Sequence, residues 1–564
     1  MEKRLLLAAG LSLAVLVVGE ILMPKPPKPV PGRPDAATST SNSTSTTATS
    51  PSASSETAAS SGAPAVEAGR PAVAPVAASD ETATTLENGV LRLTITNRGA
   101  VVSSAVLPRY LDEQKRPLEL VRQLPAAAPR PLALDFPGRK DATDLVSGAL
   151  FSVEKVSGRD ARFTFSDGKI EVKKEIRLGT GYLFDVSVSV VGPPYALSVG
   201  TGLRNPTEKE LANRYVMPAT AIAATASGGI DKVRAEKLVK DKKELTWALP
   251  PKGFAGIEDN YFLAVLLPDR AADARVAPFA TDPAGKTSPT LSAAIQGRGE
   301  LAARAYFGPK DVEILESLHL GLERTVDFGW YGVLARPLLW LLKRTYGWIG
   351  NWGFAILLVT LAIRILLFPL MHKSYASMKK MQKLAPKMNA IKDKYKKAKT
   401  DAAQRNKMNQ ELMALYQAEG YNPMSGCLPI LLQLPILVAF YNVLSRSIEL
   451  RHAPFALWIK DLSAVDHTYV LLILMIVSMY VQQAMTPSTA DPAQKRIFMA
   501  MPLLWGFFLK DMPSGLVLYW LFSNVLTILQ QMLINKIVKD DEPPVAARAA
   551  SRKPRLPQAK GAAR

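Results

Sequence analysis

The stretch FAILLVTLAIRILLFPLM, residues 354–371, decides the fold class of this chain. It is long and apolar enough to cross a lipid bilayer, yet Arg364 lies near its middle. A guanidinium keeps its charge at any workable pH, so placing it in hydrocarbon is costly. Thr360 lies one helical turn earlier on the same face. The pair predicts a polar cavity that reaches water; a structural arginine bonded to backbone carbonyls or a buried acid is the alternative.

No acidic residue in the other apolar runs is placed to neutralise Arg364. Glu20 lies near the end of the first run and Asp511 lies at a boundary between two runs. Hydration is therefore the expected way to stabilise this charge within the membrane.

The composition narrows the class of partner. The chain has 564 residues and a formal net charge of +20, which favours a polyanionic partner such as ribosomal RNA or an anionic lipid surface. Its single cysteine, Cys427, excludes a disulfide framework and a thiolate metal cluster within one chain.

The first 79 residues predict an anchor and a tether. Lys3 and Arg4 precede an apolar run, so residues 1–23 are predicted to be an N-terminal transmembrane anchor, with a cleaved signal peptide as the alternative. Residues 24–79 are rich in Pro, Ala, Ser and Thr, and this composition predicts a disordered linker.

Residues 80–320 carry the period of β-strands. LRLTITN at 91–97 and LFDVSVSVV at 183–191 alternate apolar and polar side chains, and turn-forming residues separate such runs. This pattern predicts a soluble antiparallel β-sandwich domain. No catalytic constellation is visible in it, so a folded domain without chemistry is the simplest interpretation.

The remainder of the chain predicts a membrane domain. Residues 327–348 combine helical apolar spacing with basic and aromatic residues, which is typical of an amphipathic helix in the membrane interface. Five apolar segments follow, at 349–371, 424–447, 468–485, 497–510 and 513–537. With the anchor they predict a polytopic α-helical membrane protein with six transmembrane helices.

Basic residues orient these segments. The loop from 372 to 423 is rich in Lys and Arg, so it is predicted to be cytoplasmic. Alternation of the spans then places the β-sandwich on the opposite side. It places the basic tail, 539–564, in the cytoplasm as well.

Polar residues punctuate the apolar segments. Each alone could join two helices, whereas together they predict a hydrophilic interior. They are Gln433, Asn442, Gln482, Gln483, Ser523, Asn524, Gln530 and Gln531.

The apolar run 497–509 would reach only ~20 Å as a helix, which predicts local bilayer thinning. The alternative is a helix that begins earlier, after Pro492.

The cytoplasmic loop predicts a helical hairpin over residues 373–419. Its first helix would present a seam of Met381, Leu384, Met388, Ile391 and Tyr395. A second helix near 401–418 would pack against that seam. Many lysines would then face solvent, among them Lys379, Lys380 and Lys383. Contacts of these lysines with nucleic acid would be with phosphates only, and the methionines could hold apolar peptides.

No motif of an enzyme or of a nucleotide-driven pump is present. The sequence lacks a phosphate-binding G-x-x-x-x-G-K-[ST] loop, an H-E-x-x-H zinc motif and a G-x-S-x-G nucleophile motif. We therefore expect no catalytic residue, no metal and no cofactor. A transporter that uses an intramembrane arginine as an anion site remains the alternative function.

Three motifs and the arginine-containing segment carry a family resemblance. ALYQAEGYNPMSGCLPILLQLPI at 414–436, RHAPFALWIKDLS at 451–463 and MPSGLVLYW at 512–520 follow that segment in order. Together they resemble the YidC family of membrane protein insertases, in its Gram-negative bacterial form. The resemblance implies a five-helix core over 349–538 around a hydrophilic groove.

The resemblance also implies roles for individual residues. Arg364 and Thr360 match the groove arginine and threonine of the family. Tyr519 and Trp520 match its aromatic pair, although many Gram-negative members have Tyr at the second position. Gln433 and Asn524 are expected to line the groove beside them.

The expected partners follow from the same resemblance. They are nascent membrane proteins, the phospholipid bilayer, the Sec translocon, and the ribosome, which the hairpin and the tail would contact. The expected location is the bacterial inner membrane, with the sandwich domain in the periplasm. The expected activity is the transfer of hydrophobic segments from the cytoplasm into the bilayer.

Overall fold

The computed structural model describes residues 74–537 apart from 125–127, 208–209, 211–215, 242, 280–289, 396–400, 420–427 and 487–491. The side chains of 380, 428–431 and 492–493 are also outside the description. The predictions for the anchor 1–23, most of the linker, the tail 539–564, Cys427 and the side chain of Lys380 lie outside the described residues.

The N-terminal part of the described chain is built of β-strands. In β8, for example, buried and exposed residues alternate along Glu171–Leu178, as the period of two predicts. The strands are β1 Ala83–Glu87, β2 Arg92–Thr96, β3 Val101–Leu111, β4 Pro117–Glu119, β5 Leu134–Asp135, β6 Ser152–Lys155, β7 Asp160–Ser166, β8 Glu171–Leu178, β9 Leu183–Val191, β10 Tyr195–Thr201, β11 Thr220–Ala224, β12 Ile230–Arg234, β13 Leu245–Leu249, β14 Ala255–Glu258, β15 Phe262–Pro268, β16 Ala272–Phe279, β17 Thr290–Gly297 and β18 Glu300–Pro309.

These strands form antiparallel sheets. A nine-stranded sheet has the order β12-β11-β14-β15-β18-β9-β8-β7-β6, and a five-stranded sheet has the order β13-β16-β17-β10-β5. Strands β10 and β17 of the smaller sheet pack against β11, β14 and β15 of the larger one. A four-stranded sheet, β1-β2-β3-β4, completes the domain. The predicted β-rich domain is therefore confirmed.

Strand pairing begins before the predicted start of the domain at residue 80. Val76 forms an antiparallel bridge with Ser166, and each donates a backbone hydrogen bond of 2.9 Å to the other. The last residues of the segment predicted as a linker thus extend the sheet beside β7.

The C-terminal part is helical. The α-helices of the described chain are α1 Lys140–Gly148, α2 Ala235–Asp241, α3 Val312–Ser317, α4 Gly332–Ile349, α5 Trp352–Lys394, α6 Ala402–Ala418, α7 Leu428–Arg446, α8 Val470–Met485, α9 Pro492–Leu509 and α10 Ser514–Ile537. Short 3₁₀ turns lie at Leu322–Thr325, Gly329–Tyr331 and Ile448–Leu450. Helices α4 to α10 make up the predicted helical region.

Two helices of the described chain are long and apolar enough to cross a membrane. They are Trp352–Lys394 and Ser514–Lys536, and Val470–Met485 is a shorter apolar helix. The count of six spans therefore remains a prediction.

Helix α9 begins at Pro492 and has 18 residues. Its length of about 27 Å exceeds that of the apolar run alone, so the 13-residue helix inferred from 497–509 is wrong and the earlier start is correct.

Helix α4 has two different faces. Ala335, Leu338 and Leu342 are buried where it packs on α5 and α7. On the other side, the tryptophans Trp340 and Trp348 are 65% and 73% exposed. An exposed stripe with tryptophan suits the interfacial position predicted for 327–348.

The β-rich domain contacts the helical region directly. Asn260, between β14 and β15, donates from Nδ2 to the Ser445 carbonyl near the end of α7, over 3.3 Å. Lys343 of α4 forms ion pairs with Glu449 at 2.6 Å and with Glu313 at 3.2 Å. These contacts join α3, α4 and the chain that follows α7.

The extension of α5 and helix α6 pack against each other as a helical hairpin. Leu384 and Met388 are buried between them, and they pack against Met381, Leu412, Leu415 and Tyr416. Lys383 is exposed and Lys379 is half-buried. The hairpin also pairs some of its lysines: Lys387 lies 2.5 Å from Glu419, and Lys394 lies 2.5 Å from Glu411.

Candidate functional site

Arg364 binds α10 through a serine. Its Nη2 donates to Ser523 Oγ over 2.5 Å and to the Ser523 carbonyl over 3.2 Å. Thr527 Oγ1 donates to the same carbonyl over 2.8 Å. Among the described residues, no carboxylate forms an ion pair with Arg364. The guanidinium is therefore held by neutral oxygens within this part of the chain.

Helix α7 reaches the same serine. Gln433 Nε2 donates to Tyr519 Oη over 3.2 Å and lies 3.4 Å from Ser523 Oγ. The Tyr519 ring stacks on Phe440, with 4.0 Å between ring centroids and 18° between planes. We call Arg364, Gln433, Phe440, Tyr519 and Ser523 the Ser523 cluster.

Helical spacing explains why these residues converge. Tyr519 and Ser523 are four residues apart on α10, so they lie on one face one turn apart. Gln433 and Phe440 are seven residues apart on α7, which again places them on one face. Facing stripes of α7 and α10 thus bring an amide, a phenol and a hydroxyl to the guanidinium of α5.

Thr360 lies one turn before Arg364 and is buried. Its Oγ1 donates to the Ile356 carbonyl of its own helix over 2.6 Å. This bond satisfies the hydroxyl without another helix. The structure therefore places Thr360 next to the Ser523 cluster along α5 but uses its hydroxyl locally.

Asn524 and Trp520 make contacts outside the Ser523 cluster. Asn524 Nδ2 donates to Ser478 Oγ of α8 over 3.0 Å, and Ser478 donates in turn to the Met475 carbonyl. The Trp520 ring lies 6.1 Å from that of Trp505 on α9. Asn524 and Trp520, both predicted to lie in the groove, thus join α10 to α8 and α9.

Ser523 has no role of its own in the sequence-based prediction, and Phe440 is absent from it. Ser523 was one of eight polar residues in apolar segments, and nothing in the residue itself marked it as the partner of Arg364. The available signal was its position one turn after Tyr519. Phe440 carried no signal, because an apolar ring in an apolar helix is ordinary.

The arrangement can hold polar and anionic groups but offers no nucleophile or acid–base pair. It presents guanidinium, amide and hydroxyl groups. No cluster of three or more His, Cys, Asp or Glu side chains that could bind a metal occurs in the described residues. The predicted hairpin residues lie on the extension of α5, and Lys379 is about 22 Å from Arg364 along the helix axis.

Two family models match the chain. Residues 83–341 match the YidC periplasmic domain, and residues 344–542 match the 60Kd inner membrane protein. The first covers the β-rich domain and most of α4. The second covers the helical region that carries the Ser523 cluster. Proteins of this family are inner membrane proteins with a periplasmic domain.

Individual relatives match as well, one of them along its full length. The membrane protein insertase YidC of Syntrophus aciditrophicus (strain SB) is 35% identical over 566 residues, which covers 95% of this chain and 100% of the relative. The membrane protein insertase YidC of Geobacter metallireducens (strain ATCC 53774 / DSM 7210 / GS-15) is 45% identical over 313 residues, 55% of this chain and 57% of the relative.

A solved structure is also similar. It is described as an active YidC insertase with the first transmembrane domain resolved, and it aligns at 19% identity with a TM-score of 0.35. The alignment covers 81% of this chain and 93% of that chain. The family models and the full-length identity agree with the motifs at 414–436, 451–463 and 512–520. The chain belongs to the YidC family of membrane protein insertases, which are not enzymes.

Proposed function

We propose that this chain moves hydrophobic segments of nascent inner-membrane proteins from the cytoplasm into the bilayer. In this proposal the Ser523 cluster lines a hydrophilic groove that opens towards the cytoplasm and the lipid. The short polar flank of a client, meaning a newly made membrane protein, enters the groove and is hydrated there. The apolar segment of the client then leaves laterally into lipid.

The observation that carries the proposal is the bonding of Arg364. Its Nη2 is bound by Ser523, and no acid neutralises it within the described residues. A guanidinium has five N–H donors, so several remain for an incoming group. A carboxylate on the polar flank of a client is the group that a guanidinium binds most strongly.

The free energy for transfer comes from the client itself. Burying about 20 apolar residues in hydrocarbon is favourable enough to draw the segment out of water. The groove has to lower the barrier for the polar flank, which would otherwise cross hydrocarbon unsolvated. No nucleotide hydrolysis is needed for this step.

The topology that we propose follows the distribution of basic residues. Six helices would span the inner membrane: the anchor 1–23 and five in the core 349–538. The β-rich domain, 80–320, would lie in the periplasm behind the linker 24–79, with helix 327–348 at the membrane surface. The hairpin 373–419 and the tail 539–564 would lie in the cytoplasm.

The same topology assigns the partners. The exposed lysines of the hairpin and the basic tail would contact ribosomal RNA through phosphates, so this contact should weaken at high salt. Met381 and Met388 would help to receive apolar segments of the client. Small clients would be handled by this chain alone and larger ones together with the Sec translocon.

Depletion of the protein tests the proposal. After depletion, small clients should remain on the cytoplasmic side, so a protease added to the periplasm should leave them intact. Unchanged integration after depletion would rule the proposal out. Reconstituted liposomes separate it from solute transport, because an insertase integrates a nascent membrane protein whereas a transporter produces specific solute flux.

Deletion of the β-rich domain tests where the activity lies. A variant that lacks residues 80–315 should keep substantial insertion activity, because the Ser523 cluster is built by α5, α7 and α10. Complete loss of insertion with normal accumulation of the variant would instead favour a purely structural role in assembly through the β-rich domain.

A further inference from the structure

Gln530 lies on the same face of α10 as the Ser523 cluster. It is seven residues after Ser523 and eleven after Tyr519, and these steps correspond to about two and three turns of an α-helix. The three side chains therefore form one stripe along α10. Gln530 lies about 10 Å beyond Ser523 along the helix axis.

The direction of this stripe is set by two contacts between α5 and α10. Arg364 binds Ser523, and further along both helices the Tyr375 side chain lies close to that of Asn535. The two helices therefore run in the same direction. In the proposed topology this direction leads to the cytoplasm, so Gln530 lies on the cytoplasmic side of Arg364.

The amide nitrogen of Gln530 is not satisfied by the described residues. Its Nε2 is buried and has no hydrogen-bond partner among them. The nitrogen of the next amide differs, because Gln531 Nε2 donates to Thr486 Oγ1 of α8 over 3.3 Å, although Gln531 Oε1 is also buried without a partner among these residues. Joining α8 to α10 is thus a function that Gln531 performs. Gln530, on the face of the Ser523 cluster, has a buried donor without a partner among the described residues, and such a donor is costly unless a partner arrives.

We propose that Gln530 binds the main chain of the client's polar flank and forms a second subsite of the groove. This inference rests on the proposed function. The ligand is a backbone carbonyl, because a neutral amide donor bonds well to a neutral acceptor that every residue carries. Arg364 selects acidic side chains, whereas Gln530 binds any extended chain.

The spacing fixes the register of the bound chain. An extended peptide advances about 3.3 Å per residue, so about 10 Å corresponds to about three residues. A client whose acidic residue reaches Arg364 should therefore present the main chain about three residues away to Gln530. The two subsites together would hold a short extended segment rather than a single side chain.

Photo-crosslinking in the full chain tests the subsite. A photoreactive residue is placed at 523, 530 or 529 in inner-membrane vesicles, with ribosome-stalled clients of increasing length. Leu529 is the matched control, because it is apolar, adjacent and 55% exposed. We expect crosslinks from 530 that peak for client residues about three positions away from those that peak at 523. Crosslinks at 523 without any at 530 would overturn the inference and leave the proposed function intact.

Insertion rates provide the second measurement. Gln530→Leu should slow insertion about threefold to tenfold, the effect expected from one lost hydrogen bond, for clients with acidic and with neutral flanks alike. Gln530→Asn should restore part of the rate, and Leu529→Ala should leave it unchanged. Normal insertion by Gln530→Leu would overturn the inference. A loss of thermal stability that accounts for the slower insertion would also overturn it, because it would show that Gln530 only joins helices.

Failure of the proposed function would look different. In that case neither position 523 nor position 530 would crosslink to a client, and the Gln530→Leu and Arg364→Leu variants would insert every client at the normal rate.

Discussion

A buried cation has different hydrogen-bond partners in the β-rich domain and in the helical region. In the β-rich domain, Lys174 is fully buried, and its Nζ donates to the carbonyls of Gly99, Ala100 and Leu132 over 2.8, 3.0 and 2.7 Å. When Lys174 is protonated, its ammonium has three donors, and all are used. In the helical region, Arg364 has five donors, and the described residues accept hydrogen bonds only from Nη2.

Other buried cations of the β-rich domain also have partners within the domain, as Lys174 does. Arg204 pairs with Asp259 and with Glu210, and Lys310 lies 2.9 Å from Glu258. Each of these charged side chains is buried and is paired with at least one carboxylate. The difference indicates that the β-rich domain uses buried charge to fix its own structure. Among the described residues of the helical region, Arg364 keeps hydrogen-bond donors without partners, as expected of a site that binds a client.

The largest loss of stability should follow from breaking the buried ion pair of Arg204 and Asp259. Asp259→Ala removes the carboxylate from buried Arg204 and the acceptor for the backbone amides of Tyr261 and Phe262. Loss of one partner of a buried pair should lower the free energy of unfolding by about 3–5 kcal/mol. Hydrogen exchange of β14 and β15 in the purified full chain measures this loss.

An exposed pair in the same domain provides the control. Glu87 pairs with Arg92 at 2.9 Å, and both side chains are largely exposed. Glu87→Ala should change the free energy of unfolding by no more than about 1 kcal/mol. Equal effects of the two variants would contradict the view that burial makes the Arg204 pair structural.

The stability of the β-rich domain should depend on pH through Lys174. Burial lowers the pKa of Lys174 to about 7, whereas a lysine in an unfolded chain has a pKa of about 10.4. Between these values the unfolded state binds the proton and the native state does not. Stability of the β-rich domain should therefore rise with pH across this window, by up to about 1.4 kcal/mol per pH unit.

Lys174→Met isolates this contribution. Urea unfolding followed by proteolysis of the β-rich domain, at several pH values from 7 to 10, compares the two chains. The variant should show a smaller rise with pH. Parallel pH profiles would show that Lys174 keeps its proton throughout, held by the three carbonyls.

Arg364 is the buried cation whose hydrogen bonds to the described residues come from Nη2 alone. Arg364→Leu should slow insertion of clients with acidic flanks about tenfold, because one charge-assisted hydrogen bond of roughly 1.5 kcal/mol is lost. Thermal stability should fall little, since no buried acid in the described part of the chain loses a partner. Insertion into reconstituted vesicles is the measurement, with Arg364→Lys as the variant that keeps the charge.

A client without acidic residues provides the control for Arg364. Its insertion rate should change much less in Arg364→Leu than the rate of the acidic client. Equal slowing of both clients, or unfolding of the variant, would show that Arg364 stabilises the structure, as the buried cations of the β-rich domain do.

The smallest effect should come from Tyr519→Phe. This change removes the hydroxyl that accepts a hydrogen bond from Gln433 but keeps a ring to stack on Phe440. Loss of one neutral hydrogen bond should slow insertion by about threefold. Tyr519→Ala also removes the stacked ring, so its effect on insertion should be larger. If the two variants behave alike, the hydroxyl rather than the ring determines the contribution of Tyr519.

The sequence predicted the two regions because their signals are local. Alternation with a period of two, as in LFDVSVSVV, reflects strand geometry and gave the β-rich domain. Recurring apolar residues at three and four positions gave the hairpin seam at Leu384 and Met388. Both signals depend on backbone geometry alone, so they survive without knowledge of tertiary contacts. Helix ends were less certain, as the start of α9 at Pro492 shows, because charged residues can extend a helix beyond its apolar run.

The sequence by itself determined that a permanent charge, Arg364, lies inside an apolar helix and that polar residues follow in other helices. The tertiary structure decided which of them meet. It brought Ser523 to Arg364 across 159 residues of chain, while Asn524 turned to α8 and Thr360 bonded its own helix. The reason is physical: one residue along a helix is a rotation of about 100°, and only the packing of α5, α7 and α10 selects the face that is used.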